Sequence, residues 1–167
     1  MLSTQGLGPL ALGGSTAAGE AARMIRWNPT SCGSEMGMPG GRWEETYPGQ
    51  PFTLDDDGPG QAKLRHAKIV RIDVFTSQVK TDRGIRVGST EAQLKAAYGN
   101  ALTLIGDEGY ARAWMFKDGH GAMHFEVGLE GDHGEPVAPK VTAILVATKT
   151  SAFPMVTSRT DDIAGGC

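Results

Sequence analysis

Residues 83–99 read RGIRVGSTEAQLKAAYG, and this stretch decides the fold that we predict for the chain. Ile85 and Val87 alternate with polar residues and are followed by glycine, which is typical of a short strand that ends in a turn. Thr90 and Gln93 have the spacing of a capping box, so a helix is predicted to begin there and to end at the last glycine of the stretch. The stretch is therefore predicted to be a β-turn-α unit.

A second copy of this pattern lies 75 residues nearer the amino terminus. Residues 8–17, GPLALGGSTA, match residues 83–92 in the order of their apolar, glycine and hydroxyl positions. The matched pairs are Leu10/Ile85, Leu12/Val87, Gly13/Gly88, Ser15/Thr90 and Ala17/Ala92. The first helix, at about 15–25, contains Gly19, which weakens its helix propensity by about 1 kcal/mol. The sequence thus predicts two β-turn-α repeats, at about 6–25 and 83–99.

Further strands are predicted from apolar patterns in the rest of the chain. They lie at 42–47, 51–54, 64–76, 110–116, 122–127 and 140–148, with a type I′ turn at 118–119 between the fourth and fifth. Val70, Ile72 and Val74 alternate with Arg71 and Asp73, which predicts one buried and one polar face. The last strand is apolar on both faces, so we expect it to be central.

These elements predict an α+β fold, in which an antiparallel sheet of about six strands packs against two short helices. The chain has 167 residues, of which 40% are hydrophobic and 21% charged, so a single globular domain over 1–167 is expected. The formal charge of −3 argues against nucleic-acid binding. The longest apolar run, 143–147, is far shorter than the ~20 residues of a membrane span.

Aromatic residues mark the Gly/Pro-rich segment at about 28–62, which is predicted to be mostly loop. Trp27, Trp43, Tyr47 and Phe52 lie in it or beside it. Aromatic side chains on loops often anchor binding surfaces, and equally often they hold a long loop against the core. These four residues are the candidate binding site, with both interpretations open.

His120, His124 and Glu126 fall on one face of a predicted strand and are the candidate acid-base or metal-binding residues. Imidazole and carboxylate groups in such a cluster could bind zinc. Met123 and Phe125 occupy the opposite, core-facing positions, however, which predicts that His124 and Glu126 form an ordinary solvated face, while His120 lies next to the turn. We therefore predict no metal site and no cofactor.

Cys32 and Cys167 are the two cysteines, and they could be two inert buried thiols. Cys167 lies at the end of a carboxyl-terminal tail, 150–167, where a free thiol would oxidise. This favours a partner, and Cys32 is the only candidate within the chain. A bridge would indicate an oxidising compartment. Since residues 1–5 have no signal-peptide pattern, an exported protein would have Met1 in place of a removed leader.

Several segments resemble a family of small exported bacterial proteins of uncharacterised function. They are 69–74 (IVRIDV), 81–92 (TDRGIRVGSTEA), 98–99 (YG), 123–127 (MHFEV), 140–144 (KVTAI) and the terminal 166–167 (GC). The first repeat is similar to that family's amino-terminal unit, although Gly14 stands where methionine is more usual. The resemblance implies export to the periplasm or the medium and a Cys32–Cys167 bridge, and it implies no reaction.

The arrangement of two β-turn-α repeats also resembles, more distantly, the repeats of β-lactamase inhibitory protein and the single unit of the outer-membrane-assembly lipoprotein BamE. Neither a nucleophile elbow nor a dinucleotide-binding glycine motif is present. We therefore expect an exported, non-enzymatic binding module that recognises a protein or a cell-envelope component. The alternatives are a cell-envelope hydrolase that uses His120, His124 and Glu126, and a structural component of an assembly, with the oligomeric state left open.

Overall fold

A six-stranded antiparallel sheet organises the residues that the computed structural model describes, which are 1–29, 41–57, 67–131 and 133–148. In chain order the elements are β1 (Leu2–Ser3), β2 (Gly6–Leu7), β3 (Leu10–Ala11), α1 (Thr16–Ala21), β4 (Ile25–Asn28), β5 (Arg42–Glu45), β6 (Thr53–Asp56), β7 (Ile69–Val74), α2 (Glu91–Tyr98), β8 (Leu102–Asp107), β9 (Ala111–Lys117), β10 (Ala122–Glu130) and β11 (Pro136–Ala147). The large sheet has the order β6-β7-β11-β10-β9-β8.

Two smaller sheets lie beside the large one, namely β1-β2-β3 and the hairpin β4-β5. The α+β class is confirmed, but the expectation of one sheet is wrong, since five of the described strands lie outside the large sheet. These strands have only two to four residues each, and two residues separate β1 from β2 and β2 from β3. Gly8, with φ of 55°, occupies the turn between β2 and β3, where a left-handed backbone favours glycine.

The central position of β11 is confirmed, since it pairs with β7 on one side and with β10 on the other. Directly paired residues share a face of a sheet, so one apolar row crosses five strands. It consists of Val74, Ile144, Phe125, Trp114 and Leu104. The row is buried at β7 and becomes exposed at β8, an edge strand that the sequence patterns did not predict.

Helix α2 covers the middle of this apolar row. Leu94 and Tyr98 on the helix are buried, and the Tyr98 ring centre lies 5.0 Å from those of Phe116 and Phe125. Burial of large aromatic side chains contributes strongly to stability, so this contact holds the helix on the sheet. Neither of the described helices is long and apolar enough to cross a membrane.

Helix α1 begins where the first repeat predicts it. The Ser15 hydroxyl accepts a hydrogen bond from the Ala17 amide at 3.2 Å, as an N-cap does. The helix ends at Ala21, earlier than the predicted position near 25. Gly19 has a packing role, because a Cβ atom there would lie 2.3 Å from a Leu10 methyl carbon. The glycine that weakens the helix therefore allows it to approach the core.

The second repeat differs from its prediction in its first half. Residues 85–87 do not form a strand, because Gly84 and Gly88, with φ of 84° and 90°, turn the chain at each side of them. The helix itself is confirmed, and its capping box is complete between Thr90 and Gln93. The second unit is thus a loop followed by a helix, and only the first unit has strand, turn and helix together.

The connection between β9 and β10 is not a type I′ turn, since neither Asp118 nor Gly119 has a positive φ. It is a loop of residues 118–121, in which the Asp118 carboxylate accepts the His120 amide at 2.7 Å and the Gly121 amide at 3.1 Å. An aspartate side chain that bonds to the backbone two residues later can shape a turn by itself, so the glycine is not needed in a left-handed conformation.

Candidate functional site

A groove of about 650 Å³ lies between helix α2 and the loop at 80–89 that precedes it. Within the part of the chain that the structure describes, the residues that line it are Lys80, Arg83, Gly84, Ile85, Arg86, Gly88, Ser89, Gln93, Ala96 and Ala97. None of these lining residues is acidic, and three of them are basic. The size suits a small-molecule ligand or a short segment of a larger one.

Two consecutive turns, at 81–85 and 86–89, fix the backbone of this loop. Thr81 exchanges two hydrogen bonds with Ile85: its amide donates to the Ile85 carbonyl at 2.7 Å, and its hydroxyl accepts from the Ile85 amide at 3.0 Å. In the second turn, the Ser89 hydroxyl accepts from the Arg86 amide at 3.1 Å, and the Ser89 amide donates to the Arg86 carbonyl at 3.0 Å. The loop is therefore ordered by its own hydrogen bonds.

The loop is also attached to the rest of the protein at both ends. The Gly88 amide donates to the Val141 carbonyl, and the Val141 amide donates to the Ser89 carbonyl, both at 2.8 Å. At the other end, the Asp82 amide donates to the Leu2 carbonyl at 2.9 Å. A binding loop tied to two strands loses little conformational entropy when a ligand arrives.

Arg83 is the cation whose position is best defined. Its guanidinium carbon lies 4.7 Å from the centre of the Tyr98 ring and 4.6 Å from that of Phe116, which are cation–π contacts. One Nη1 hydrogen is donated to the Ala97 carbonyl at 3.3 Å. A guanidinium has five N–H donors, so Arg83 keeps donors for a ligand while the two rings contact it.

The phenol under Arg83 stays neutral near physiological pH. Burial raises the pKa of Tyr98, and the nearby Asp82 charge raises it further, while a hydrogen bond with Thr81 and the Arg83 charge act in the opposite direction. Because Tyr98 carries no negative charge, it does not cancel the charge of Arg83.

Lys80 and Arg86 are exposed at the groove. Together with Arg83 they make no ion pair with a carboxylate in the described part of the chain. Asp82 is the one acidic residue between positions 80 and 89, and it does not line the groove. The groove is therefore positive on a chain whose formal charge is −3.

The acidic residue of the first turn of α2, Glu91, contacts other cations. It accepts hydrogen bonds from Arg112 Nη1 at 3.2 Å and from Trp114 Nε1 at 2.9 Å, and it lies 3.2 Å from Lys95 Nζ. Lys95 in turn lies over the Trp114 ring at 4.6 Å. Glu91 is satisfied by this cluster and is absent from the groove lining.

The sequence patterns missed this site. The available signal was a basic residue at every third position, namely Lys80, Arg83 and Arg86. Gly84 lies between the two arginines, and Gly88 follows them. Alternation of Ile85 and Val87 predicted a strand instead, which would have placed successive side chains on opposite faces. The turns at Gly84 and Gly88 bring the cations to one groove.

The four aromatic candidates form two pairs. Trp27 and Trp43 contact edge to face with ring centres 5.4 Å apart, and Tyr47 and Phe52 are 6.3 Å apart. Trp43 and Phe52 are buried, and Trp43 Nε1 donates to Asp56 at 2.8 Å, so both belong to the core. Trp27 is partly buried, and Tyr47 is 45% exposed. Of this set, Tyr47 is the most exposed residue.

His124 and Glu126 are buried, so the prediction that they form a solvated face is wrong. The reason is visible in the register of the sheet. His124 pairs with Leu145, which pairs with Asp73, so Asp73 points to the same face as His124. Arg71, two residues before Asp73, points to that face as well. The same register also overturns the polar, exposed face predicted for β7, where Arg71 donates to both Asp73 oxygens at 2.8 and 2.7 Å.

This buried polar face holds His124 in its neutral form. Burial lowers the pKa of His124 to about 4, with Glu126 raising it and Arg71 lowering it further. Glu126 Oε1 accepts a hydrogen bond from the Thr142 hydroxyl at 3.1 Å. The buried imidazole is out of reach of a substrate in solution.

The third member of the proposed acid-base set, His120, lies in the exposed 118–121 loop, apart from the buried face. The described residues contain no group of three or more histidine, cysteine, aspartate or glutamate side chains that could bind a metal ion. Cys32, Cys167 and the 150–167 tail lie outside the described residues, as do the parts of the Gly/Pro-rich segment from 30 to 40 and from 58 to 62.

The chain shares its fold with a solved structure of a protein whose function is uncharacterised. No family model matches the chain, and no curated protein matches it. Among solved structures, the chain is similar to the uncharacterized protein YfeY from Escherichia coli, with 21% sequence identity and a TM-score of 0.51. The match covers 87% of this chain and 98% of YfeY. At this identity the likeness establishes the fold alone.

Proposed function

We propose that this protein is an exported, non-enzymatic binding module that recognises a protein or a cell-envelope component through the groove beside α2. The observation that carries the proposal is the set of three groove cations that make no ion pair with a described carboxylate. A surface evolved only for solubility would intersperse both charge signs. Here three cationic side chains line one concave site.

The rigidity of the loop supports recognition. The Thr81–Ile85 and Arg86–Ser89 turns hold the backbone in place, and Tyr98 holds the Arg83 guanidinium. Binding then costs little ordering entropy, so a modest number of contacts is enough for a specific complex. Local positive charge on a chain of net charge −3 also steers anionic partners towards this face.

The composition of the groove supports binding over catalysis. Ser89 is the hydroxyl of the lining, and its oxygen already accepts the Arg86 amide. No histidine, carboxylate or cysteine among the lining residues could activate it as a nucleophile. The alternative of a cell-envelope hydrolase is less supported, because His124 and Glu126 are buried and His120 lies apart from them.

Export is part of the proposal and is tested separately. It rests on the resemblance to small exported proteins and on the two cysteines, Cys32 and Cys167. Mass spectrometry of protein purified from the cell envelope, with and without reductant, should show that reduction adds two hydrogens to the intact chain. Two free thiols before reduction would contradict the bridge.

The binding role is tested by quantitative capture from cell-envelope extract on the immobilised full chain. We expect a partner that binds the wild type and is lost in a Lys80→Gln/Arg86→Gln double variant. An Arg26→Gln/Lys117→Gln variant is the matched control, since both of its positions are exposed and lie outside the groove. Equal capture by both double variants would refute the groove as the recognition surface.

Tyr47→Ala distinguishes the remaining aromatic candidate in the same assay. Tyr47 is exposed and lies outside the groove, on the segment between β5 and β6. If the partner is lost in Tyr47→Ala and retained in the Lys80/Arg86 variant, the aromatic segment is the binding surface. If no captured partner depends on either the groove or Tyr47, a structural role in an assembly is favoured.

A further inference from the structure

The groove beside α2 holds more positive charge than its surroundings neutralise. Lys80, Arg83 and Arg86 all line it, and none of the other described residues that line it is a carboxylate. Like charges that converge without a counter-ion repel one another, and an anionic ligand relieves this repulsion. The charge therefore indicates the sign of the missing group.

The two arginines indicate the shape of that group. A guanidinium presents a planar fork that matches the two oxygens of a carboxylate or a phosphate. The rings of Tyr98 and Phe116 hold the guanidinium of Arg83 in position beside the groove. Lys80 adds a point charge at the same groove.

The neutral part of the lining indicates room for a carbon skeleton. Ala96 and Ala97 have short apolar side chains, and Ile85 is buried beneath the loop. Gly84 and Gly88 would have nothing within 4 Å of an added Cβ atom, so the space around them is open. A volume of about 650 Å³ is in the range of small-molecule sites.

We propose that the groove binds a small ligand that carries at least two oxyanion charges, as phosphate or carboxylate groups, held by Arg83, Arg86 and Lys80. This inference rests on the proposed function, because it names the chemistry of the same site. An extended polyanion fits less well, since the chain as a whole is negative, with a formal charge of −3.

The test is an NMR titration of isotopically labelled full chain in low-salt buffer free of phosphate. The soluble probes are pyrophosphate and citrate, and a third arm uses vesicles of equal parts phosphatidylcholine and phosphatidylglycerol. We expect the amide signals of residues 80–89 and 93–97 to shift with at least one soluble probe. Binding should weaken as salt is added, because screening reduces the attraction between exposed charges.

Matched variants separate a specific site from general charge attraction. Arg86→Gln should weaken binding by about tenfold or more, since a charge-assisted hydrogen bond is removed. Arg86→Lys should recover part of the loss, and Arg26→Gln, outside the groove, should change nothing. Urea unfolding of each variant shows that the fold is retained.

Absence of shifts with both soluble probes overturns the inference, as does equal affinity in Arg86→Gln and wild type. Shifts with vesicles only overturn it too, since the ligand would then be a lipid surface. If the soluble probes fail while capture from envelope extract still depends on Lys80 and Arg86, the proposed function stands and this inference fails. If the probes bind at Arg86 and no envelope partner depends on the groove, this inference stands and the proposed function fails.

Discussion

Acid should destabilise this protein through His124, well above the pH at which most carboxylates titrate. The imidazole is buried on a polar face of the sheet, and burial lowers its pKa from 6.5 to about 4. In the unfolded chain the same group takes up a proton near pH 6.5. Between these values the unfolded state binds the proton and the folded state does not, so stability is complete above pH 6.5 and is lost as the pH falls towards 4.

The size of the effect follows from the two pKa values. Linkage predicts that His124 alone lowers the free energy of unfolding by about 2 kcal/mol between pH 7 and pH 5. That is a large part of the ~5–15 kcal/mol by which proteins of this kind are stable. The interval above pH 5 is informative because ordinary carboxylates remain ionised there.

Urea unfolding followed by tryptophan fluorescence at pH 7 and pH 5 measures this loss. In His124→Gln the side chain does not titrate, so the same change of pH should cost the variant about 2 kcal/mol less than it costs the wild type. Ring proton signals of His124 in the folded wild type should also remain those of neutral imidazole at pH 5. An equal pH dependence in both proteins, or a His124 ring that is charged at pH 5, would refute the assignment of a buried neutral imidazole.

Three further changes are checked by urea unfolding at pH 7. Asp73→Ala should cost about 3–5 kcal/mol, since it leaves the buried Arg71 charge without the carboxylate 2.7 Å away; a loss under about 1 kcal/mol would contradict this. Phe125→Ala should cost about 3–5 kcal/mol because it opens a cavity under α2. Thr90→Ala should cost about 1 kcal/mol through loss of the hydroxyl that accepts the Gln93 amide at 3.1 Å, and no change would show that the cap is dispensable.

Local chemistry made part of the fold predictable. The capping box at Thr90 and Gln93 depends on residues three apart, so it can be seen in the sequence and forms as expected. The central place of β11 could be predicted because its inner half is apolar on both faces. Edge strand β8 was missed, since none of its residues is buried and they carry a weak pattern.

Features that depend on distant pairing were not predictable. The alternation of side chains along a strand places His124 and Glu126 on one face. Only the register with β11 and β7 brings Arg71 and Asp73 to that face, where the four residues form a buried polar layer. Alternation in a single strand does not reveal whether both of its faces are covered.

The groove was hidden for a similar reason. The positions of Lys80, Arg83 and Arg86 are visible in the sequence, but their convergence depends on left-handed glycines and on hydrogen bonds to Val141, which is more than fifty residues away. The two rings that contact Arg83 come from different elements, since Tyr98 lies on helix α2 and Phe116 on strand β9. Such a site is assembled by the fold, so residue spacing alone does not show it.

Site-specific photo-crosslinking in cell-envelope preparations tests the binding role of the groove most directly. A photoreactive p-benzoylphenylalanine is placed at Ala96, which lines the groove, and as a control at Thr103, which is exposed on β8. The account predicts a discrete adduct from Ala96 that disappears when Lys80 and Arg86 are replaced by glutamine, and none of the same mass from Thr103. An adduct from Ala96 that persists in that variant, or the same adduct from both positions, would contradict it.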